Sequence, residues 1–412
     1  MSAPCCSFCK VPLQDIFVDL GKSPLCESFI PADERNQMEP FFPLKVWVCR
    51  ECFLVQLQEY VAPSDIFSHY AYFSSYSESW LAHAKRYVEM AIERFGLGEK
   101  SSVVELASND GYLLQYFVER GVPALGIDPA ENVAEKAKEK GVRTLVRFFG
   151  EQTAAEVRAT EGPADLILGN NVLAHVPDIN DFVKGIATLL ADDGNVTMEF
   201  PHLLRLMEGN QFDTIYHEHF SYLSLDVVRR IFAHHGMTVY DVEELPTHGG
   251  SLRIFAGQTA SGRTQTPAMD KVLADEAKAG LGGLEAYTAF SEQVIRTKHN
   301  LLKYLIRMRE EGKRVAAYGA PGKGNTLLNY CGIRTDLIEY AVDRNPFKHG
   351  RFTPGTEIPI YPVEHVDETQ PDRLLILPWN LREEIAKQMG YIGKWGGKLV
   401  VPIPEVEEID AD

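Results

Sequence analysis

The chain has 412 residues, 45% of them hydrophobic and 24% charged, and carries a formal net charge of −17. These proportions describe an ordinary globular protein with room for two or three cored domains. The acidic balance excludes a surface-wide field for nucleic acid or an anionic membrane. No apolar run reaches membrane-spanning length and the first residues lack a signal peptide's apolar core, so the chain is expected to be cytoplasmic.

Taken in chain order, the first signal is a cysteine pattern. Cys6-x-x-Cys9 and Cys49-x-x-Cys52 present two thiolate pairs from tight turns. In a reducing compartment they predict one tetrahedral, structural zinc site within a module over residues 1–70. Four thiolates leave no open position for a substrate, and the metal supports a segment too small to be stable by burial alone. A redox C-x-x-C is the competing reading. Cys26 and Cys331 read as small hydrophobes.

An aromatic cluster follows, Tyr70, Tyr72, Phe73, Tyr76 and Trp80. Most of it is expected to cover a domain junction, with Tyr72 or Tyr76 lining a substrate cleft. From residue 102 strands and helices alternate, and a core over 71–258 is expected. Apolar runs at 103–106, 124–127, 144–146, 166–168 and 196–200 predict parallel strands. Two later runs, 237–242 and 252–256, join across Gly249 and Gly250 and predict an antiparallel edge.

Within this core, Val103–Leu106 feeds the loop Ala107-Ser108-Asn109-Asp110-Gly111, and the next strand ends on Asp128-Pro129. An apolar strand, a tight polar loop and a strand-terminal acid build an adenosine-type pocket, with Asp128 accepting the ribose hydroxyls. A dinucleotide loop wants glycine at the positions held here by Ala107, Asn109 and Gly111. Asp110 would repel a pyrophosphate but favour a sulfonium or ammonium, so the loop reads for S-adenosylmethionine rather than NAD. Glu105 is placed at the cofactor's amino-acid part, and Pro129, Asn132, Asn170 and Asn171 complete the expected cofactor set.

His175 ends the segment after the fourth strand. The stretch Tyr216-His217-Glu218-His219-Phe220-Ser221-Tyr222 concentrates titratable and aromatic side chains beyond the fifth. Histidine removes a proton near neutral pH without large tuning. His-x-His as a metal pair lacks an evident third ligand. Residues 259–312 read as a helical connector. A second Rossmann-like domain, 313–412, is then expected: a strand over 314–318, the loop Gly319–Thr326 with Lys323 and Asn325, and a strand over 338–342 ending on Asp343. The loop is not a Walker A, because Gly324 follows Lys323.

These motifs, in this order, resemble the zinc-containing sugar C-methyltransferases of nucleotide-deoxysugar pathways, over nearly the whole chain. The resemblance implies an α/β fold: a class I methyltransferase core, an N-terminal four-cysteine zinc module and a second C-terminal Rossmann-like domain. It implies S-adenosylmethionine as cofactor and a nucleotide-linked 4-keto sugar as partner. His219 is then the base that makes an enolate, His175 and Tyr216 are donors to its oxygen, and Glu218 and Tyr76 complete the catalytic set. Tyr72, Tyr222, Lys323, Asn325, Asp343 and Asn380 would hold the substrate, with Trp379 near its base. Ala107 departs from the glycine usual in this loop. Methylation of oxygen or nitrogen, an NAD-dependent keto-sugar reductase and a zinc-bearing interaction protein are the alternatives.

Overall fold

The computed structural model describes residues 4–67 and 73–409, so the expectations for Tyr70 and Tyr72 lie outside the described residues. The chain forms two compact units. One comprises Met1–Gln14, Cys49–Leu203 and Phe220–Gly282; the other comprises Asp15–Val48, Leu204–His219 and Gly283–Asp412. Consecutive segments therefore do not map one-to-one onto compact bodies. Asp15–Val48 departs from the zinc knuckles because its strand Asp15–Ser23 carries Phe17, which stacks on Phe290 of helix Leu284–Glu310 at 4.6 Å.

In the first unit a seven-stranded sheet runs Met237–Leu245, Ser251–Gln258, Leu190–Pro201, Ala164–Asn170, Val103–Leu106, Ala124–Asp128, Arg143–Val146. Five strands are parallel, and Ser251–Gln258 pairs antiparallel with both its neighbours. The antiparallel strand thus sits one place in from the edge rather than at it, and its eight residues are almost wholly buried. That is the class I methyltransferase arrangement of an α/β sheet. Val103–Leu106 is buried at every position, as expected of a central parallel strand with both faces covered.

Helix Glu78–Phe95 covers one face. Ser77 caps it by accepting from the Trp80 N–H at 3.3 Å, and Gly96 ends it at φ 64°. Its buried residues Ala84, Tyr87, Val88 and Ala91 recur at i, i+3, i+4 and i+7, one stripe of a 3.6-residue period. They pack with Val103, Leu113, Phe117 and Leu166. A charged residue anywhere in that stripe would have to be paired or would cost several kcal/mol.

The second unit holds the antiparallel pair Asp15–Ser23 and Phe42–Val48 and a six-stranded sheet. The sheet runs Ile360–Tyr361, Ala341–Val342, Val315–Tyr318, Arg373–Ile376, Lys398–Val401, Glu407–Ile409, the last antiparallel. Of the strand expected over 338–342 only Ala341–Val342 pairs. The expected connector forms two helices, Pro267–Lys278 and Leu284–Glu310, which fall in different units. Among the described residues no helix is long and apolar enough to cross a membrane.

Candidate functional site

The zinc knuckles are built alike. Lys10 N–H returns to the Cys6 carbonyl at 3.0 Å and Phe53 N–H to the Cys49 carbonyl at 2.9 Å. Lys10 (φ 63°) and Phe53 (φ 61°) both hold left-handed backbone although neither is glycine. The turns bring Cys6 Sγ to 3.6 Å from Cys52 Sγ and Cys9 Sγ to 3.5 Å from Cys49 Sγ. All four sulfurs lie within 4.8 Å of one another. Thiolates around tetrahedral zinc at about 2.3 Å stand roughly 3.8 Å apart, so the donor set fits that ion. Gln56 Nε2 donates to Cys6 Sγ at 3.2 Å, and the Ser7 N–H holds the Gln56 carbonyl at 2.7 Å. Sequence reading missed Gln56.

The cofactor loop lies at the carboxyl end of the first unit's sheet. Ala107 takes φ 54° and its N–H donates to the Ile127 carbonyl at 2.8 Å, so alanine holds the turn that glycine would otherwise supply. Gly126 is required by close approach: a Cβ there would stand 2.3 Å from Ser108 Oγ. Asp128 accepts the Asn109 N–H at 2.8 Å and the Ala130 N–H at 2.9 Å. Each oxygen therefore fixes the loop and keeps a second lone pair for a ribose hydroxyl. Burial raises its pKa, and those two amides offset the rise only in part.

Asp110 behaves differently from the expectation. It pairs with Lys140 Nζ at 3.0 Å and accepts the Ser75 hydroxyl, while Lys140 also donates to Ser75 Oγ at 2.8 Å. Its charge is neutralised by a cation 30 residues away in sequence. The buried acid left without a counter-charge is Glu105. Glu105 is 1% exposed, and neither carboxylate oxygen has a hydrogen-bond partner. Burial, then Asp128 and Asp110, push its pKa well above the ordinary carboxylate range. On the adjacent strand end both side-chain amide atoms of Asn170 are likewise buried without partners. Buried acceptors that the protein leaves open fit a ligand rich in donors and positive charge. S-adenosylmethionine, a sulfonium with an ammonium group, is such a ligand.

Ser74 N–H donates to Asn109 Oδ1 at 3.0 Å, so the Ser74–Tyr76 turn clamps this loop. Tyr76 itself is 69% exposed with its ring against Phe73 at 5.4 Å. Tyr222 is buried and pairs with Val55 in an antiparallel ladder. His175 closes a short turn through its N–H to the Val172 carbonyl at 2.8 Å, and the Phe220 N–H donates to the Ala174 carbonyl at 2.8 Å. Pro129 and Asn132 flank the start of helix Glu131–Glu139.

The remaining candidates belong to the second unit. His219 Nδ1 bonds to the Thr214 carbonyl at 2.8 Å, and its ring lies 4.1 Å from that of Tyr216. His217 turns the other way, with Nε2 at 3.3 Å from the Pro43 carbonyl and burial lowering its pKa. The two histidines form no group of three or more metal-binding side chains among the described residues. Cys26 is not merely a hydrophobe: its thiol donates to Glu218 Oε1 at 3.7 Å, and burial, then Glu218, push its pKa well up.

Asp343 lines a cavity of about 460 Å³ with Tyr318, Arg344 and His349, whereas Asn380 and Trp379 line another of about 430 Å³. Asp343 repeats the Asp128 pattern, accepting the Ala320 N–H at 2.7 Å and the Asn345 N–H at 2.8 Å. Lys323 donates to Asn380 Oδ1 at 2.8 Å and lies over the Trp379 ring. Asn325 Nδ2 donates to the Cys26 carbonyl at 2.6 Å. Trp379 Nε1 donates to Asp213 Oδ2 at 2.7 Å, so its N–H holds an acid rather than standing open to a base.

Sheet order, loop and acceptor set define a class I S-adenosylmethionine-dependent methyltransferase with a four-cysteine zinc domain. Family models agree segment by segment: a zinc binding domain over residues 6–67, a methyltransferase domain over 80–242 and a C-methyltransferase C-terminal domain over 246–404. C-methyltransferase NovU from Streptomyces niveus is 36% identical over 407 residues, 98% of this chain and 97% of that protein. The chain belongs to this family of C-methyltransferases. A ubiquinone biosynthesis O-methyltransferase from Bartonella bacilliformis is 28% identical over 119 residues, 28% of this chain and 48% of that one. Among solved structures, an S-adenosylmethionine-dependent methyltransferase from Clostridium acetobutylicum superposes with a TM-score of 0.36 at 11% identity, covering 43% of this chain and 92% of that one.

Proposed function

We propose that this enzyme methylates the ring carbon next to the ketone of a nucleotide-linked 4-keto-deoxysugar, carried on dTDP and methylated at position 3, in a cytoplasmic pathway. The tautomer of His219 carries the reading. Its Nδ1–H donates to the Thr214 carbonyl at 2.8 Å, so the neutral ring has its basic lone pair on Nε2. A neutral imidazole nitrogen suits a proton made acidic by a neighbouring ketone. His219 takes the proton, and the electrons pass to the ketone oxygen as an enolate that hydrogen bonds from His175 and Tyr216 stabilise. Bound S-adenosylmethionine would supply the methyl group that this carbon takes up, with S-adenosylhomocysteine as the second product. Glu218, steadied by Cys26, binds a sugar hydroxyl. Tyr72 and Tyr222 contact the sugar, while Lys323, Asn325, Asp343 and Asn380 hold the nucleotide.

The test uses a panel of dTDP-, CDP- and GDP-linked keto sugars, with products read by mass spectrometry. Without methyl donor in D2O, the wild type incorporates deuterium at the acidic carbon. His219→Gln loses both that exchange and turnover while binding S-adenosylhomocysteine normally. Methylation of oxygen, or exchange that persists in His219→Gln, refutes the proposal.

A further inference from the structure

Two non-glycine residues of the first unit hold left-handed backbone and meet side chain to side chain. Asn171 (φ 57°) follows strand Ala164–Asn170, and His248 (φ 55°) lies in the turn before strand Ser251–Gln258. Such conformations are uncommon outside glycine and persist where surrounding structure enforces them. Asn171 Nδ2 stands 3.0 Å from His248 Nε2.

Both segments are tied to one buried residue, Glu199, by its backbone carbonyl and by its carboxylate. The Asn171 N–H donates to the Glu199 carbonyl at 2.7 Å, and Thr247 Oγ1, next to His248, donates to Glu199 Oε1 at 2.9 Å. Glu199 is fully buried and also takes His83 Nε2 and Arg253 on Oε2, each at 2.9 Å. Burial opposes its charge, but His83 and Arg253 outweigh that and hold its pKa low. Trp80 stacks on His83 at 4.9 Å and meets the His248 ring edge-on at 5.3 Å. Apart from Asn171, expected in the cofactor set, none of these residues belongs to the reaction as proposed above.

The direction of the Asn171–His248 bond follows from valence. An amide nitrogen has hydrogens and no lone pair to offer, so Asn171 donates and His248 Nε2 accepts. The amide is thereby locked with its oxygen turned away from the imidazole. That oxygen is buried and has no hydrogen-bond partner. We infer that His248 is a positioning residue for the methyl donor: it holds the Asn171 carbonyl oxygen as a fixed acceptor for the donor's ammonium group. Without His248 the amide rotates, and its NH2 face meets a cation half of the time. The inference rests on Asn171 facing the cofactor, and the experiment separates the two.

Calorimetry with S-adenosylhomocysteine on the full chain reads the effect, with melting temperature recorded for every variant. Asn171→Ala and His248→Gly each weaken binding roughly tenfold, the scale of one hydrogen bond to a charged group. Glycine keeps the left-handed turn. His248→Asn also tolerates that backbone but is too short to reach, and weakens binding alike. His248→Gln, whose amide oxygen stands where Nε2 does, stays within about twofold of the wild type. The double variant Asn171→Ala/His248→Gly binds no more weakly than Asn171→Ala. With saturating sugar, KM for the donor rises while kcat stays within about twofold. Wild-type binding by both His248→Gly and His248→Asn beside a weakened Asn171→Ala overturns the role of His248 alone. Losses that multiply in the double variant do the same. Wild-type binding by Asn171→Ala overturns the cofactor reading on which it stands.

Discussion

Replacing Glu105 with methionine tests the cofactor pocket most directly, because binding and stability should move in opposite directions. The carboxyl is buried, has no hydrogen-bond partner on either oxygen, and faces Asp128 and Asp110. A buried polar group without a partner costs about 1–3 kcal/mol. Glu105→Met fills a similar volume and removes that cost, so the unliganded protein should melt a few degrees higher. The same carboxylate, facing an ammonium group, would contribute about 1.5–3 kcal/mol. Its loss should weaken S-adenosylhomocysteine binding roughly 10- to 150-fold. The raised pKa adds a proton signature. The folded, unliganded chain keeps a proton on Glu105 above pH 4.5 that the unfolded chain releases, so this group lowers stability as pH rises beyond 4.5. Binding the cation ionises Glu105, and up to one proton is released, measurable by calorimetry in buffers of different ionisation enthalpy. Glu105→Met should abolish that release. An unliganded Glu105→Met protein less stable than wild type, or wild-type affinity in that variant, would refute the reasoning.

Zinc analysis of the purified protein should return one ion per chain, and Cys49→Ser should lose it along with several degrees of melting temperature; unchanged metal content would dismiss the four-thiolate site. Asp213 is pushed up to about 6 from 3.8 by burial, with Lys323 and Trp379 pulling the other way. The native state holds that proton between the two values and the unfolded chain does not. The Asp213 contribution to stability therefore falls by about 3 kcal/mol in total as pH rises through the range bounded by the two values. Denaturant titrations of Asp213→Asn should show this slope flattened, and an identical slope in variant and wild type would rule the burial argument out.

Local spacing was enough for much of the architecture. Two C-x-x-C turns imply a thiolate site because each turn closes within four residues. An apolar strand, a polar loop and a terminal acid imply the crevice because strand, turn and register are near-neighbour properties. The cofactor class was legible in the same way, from a loop short of glycine and rich in acid.

Partnership across the chain was not legible. Asp110 looked like the cation-facing group, yet its Oδ2 pairs with Lys140, while the carboxyl with neither oxygen partnered belongs to Glu105, one residue of an otherwise apolar strand. Cys26 looked inert until the fold set its thiol on Glu218, 192 residues away. Gln56, His83, Glu199 and His248 carry no motif, since each acquires its role from hydrogen bonds whose partners are distant in sequence. Hydrophobic period and turn chemistry are written in adjacent residues, whereas desolvation and charge pairing depend on which side chains meet once the core has closed.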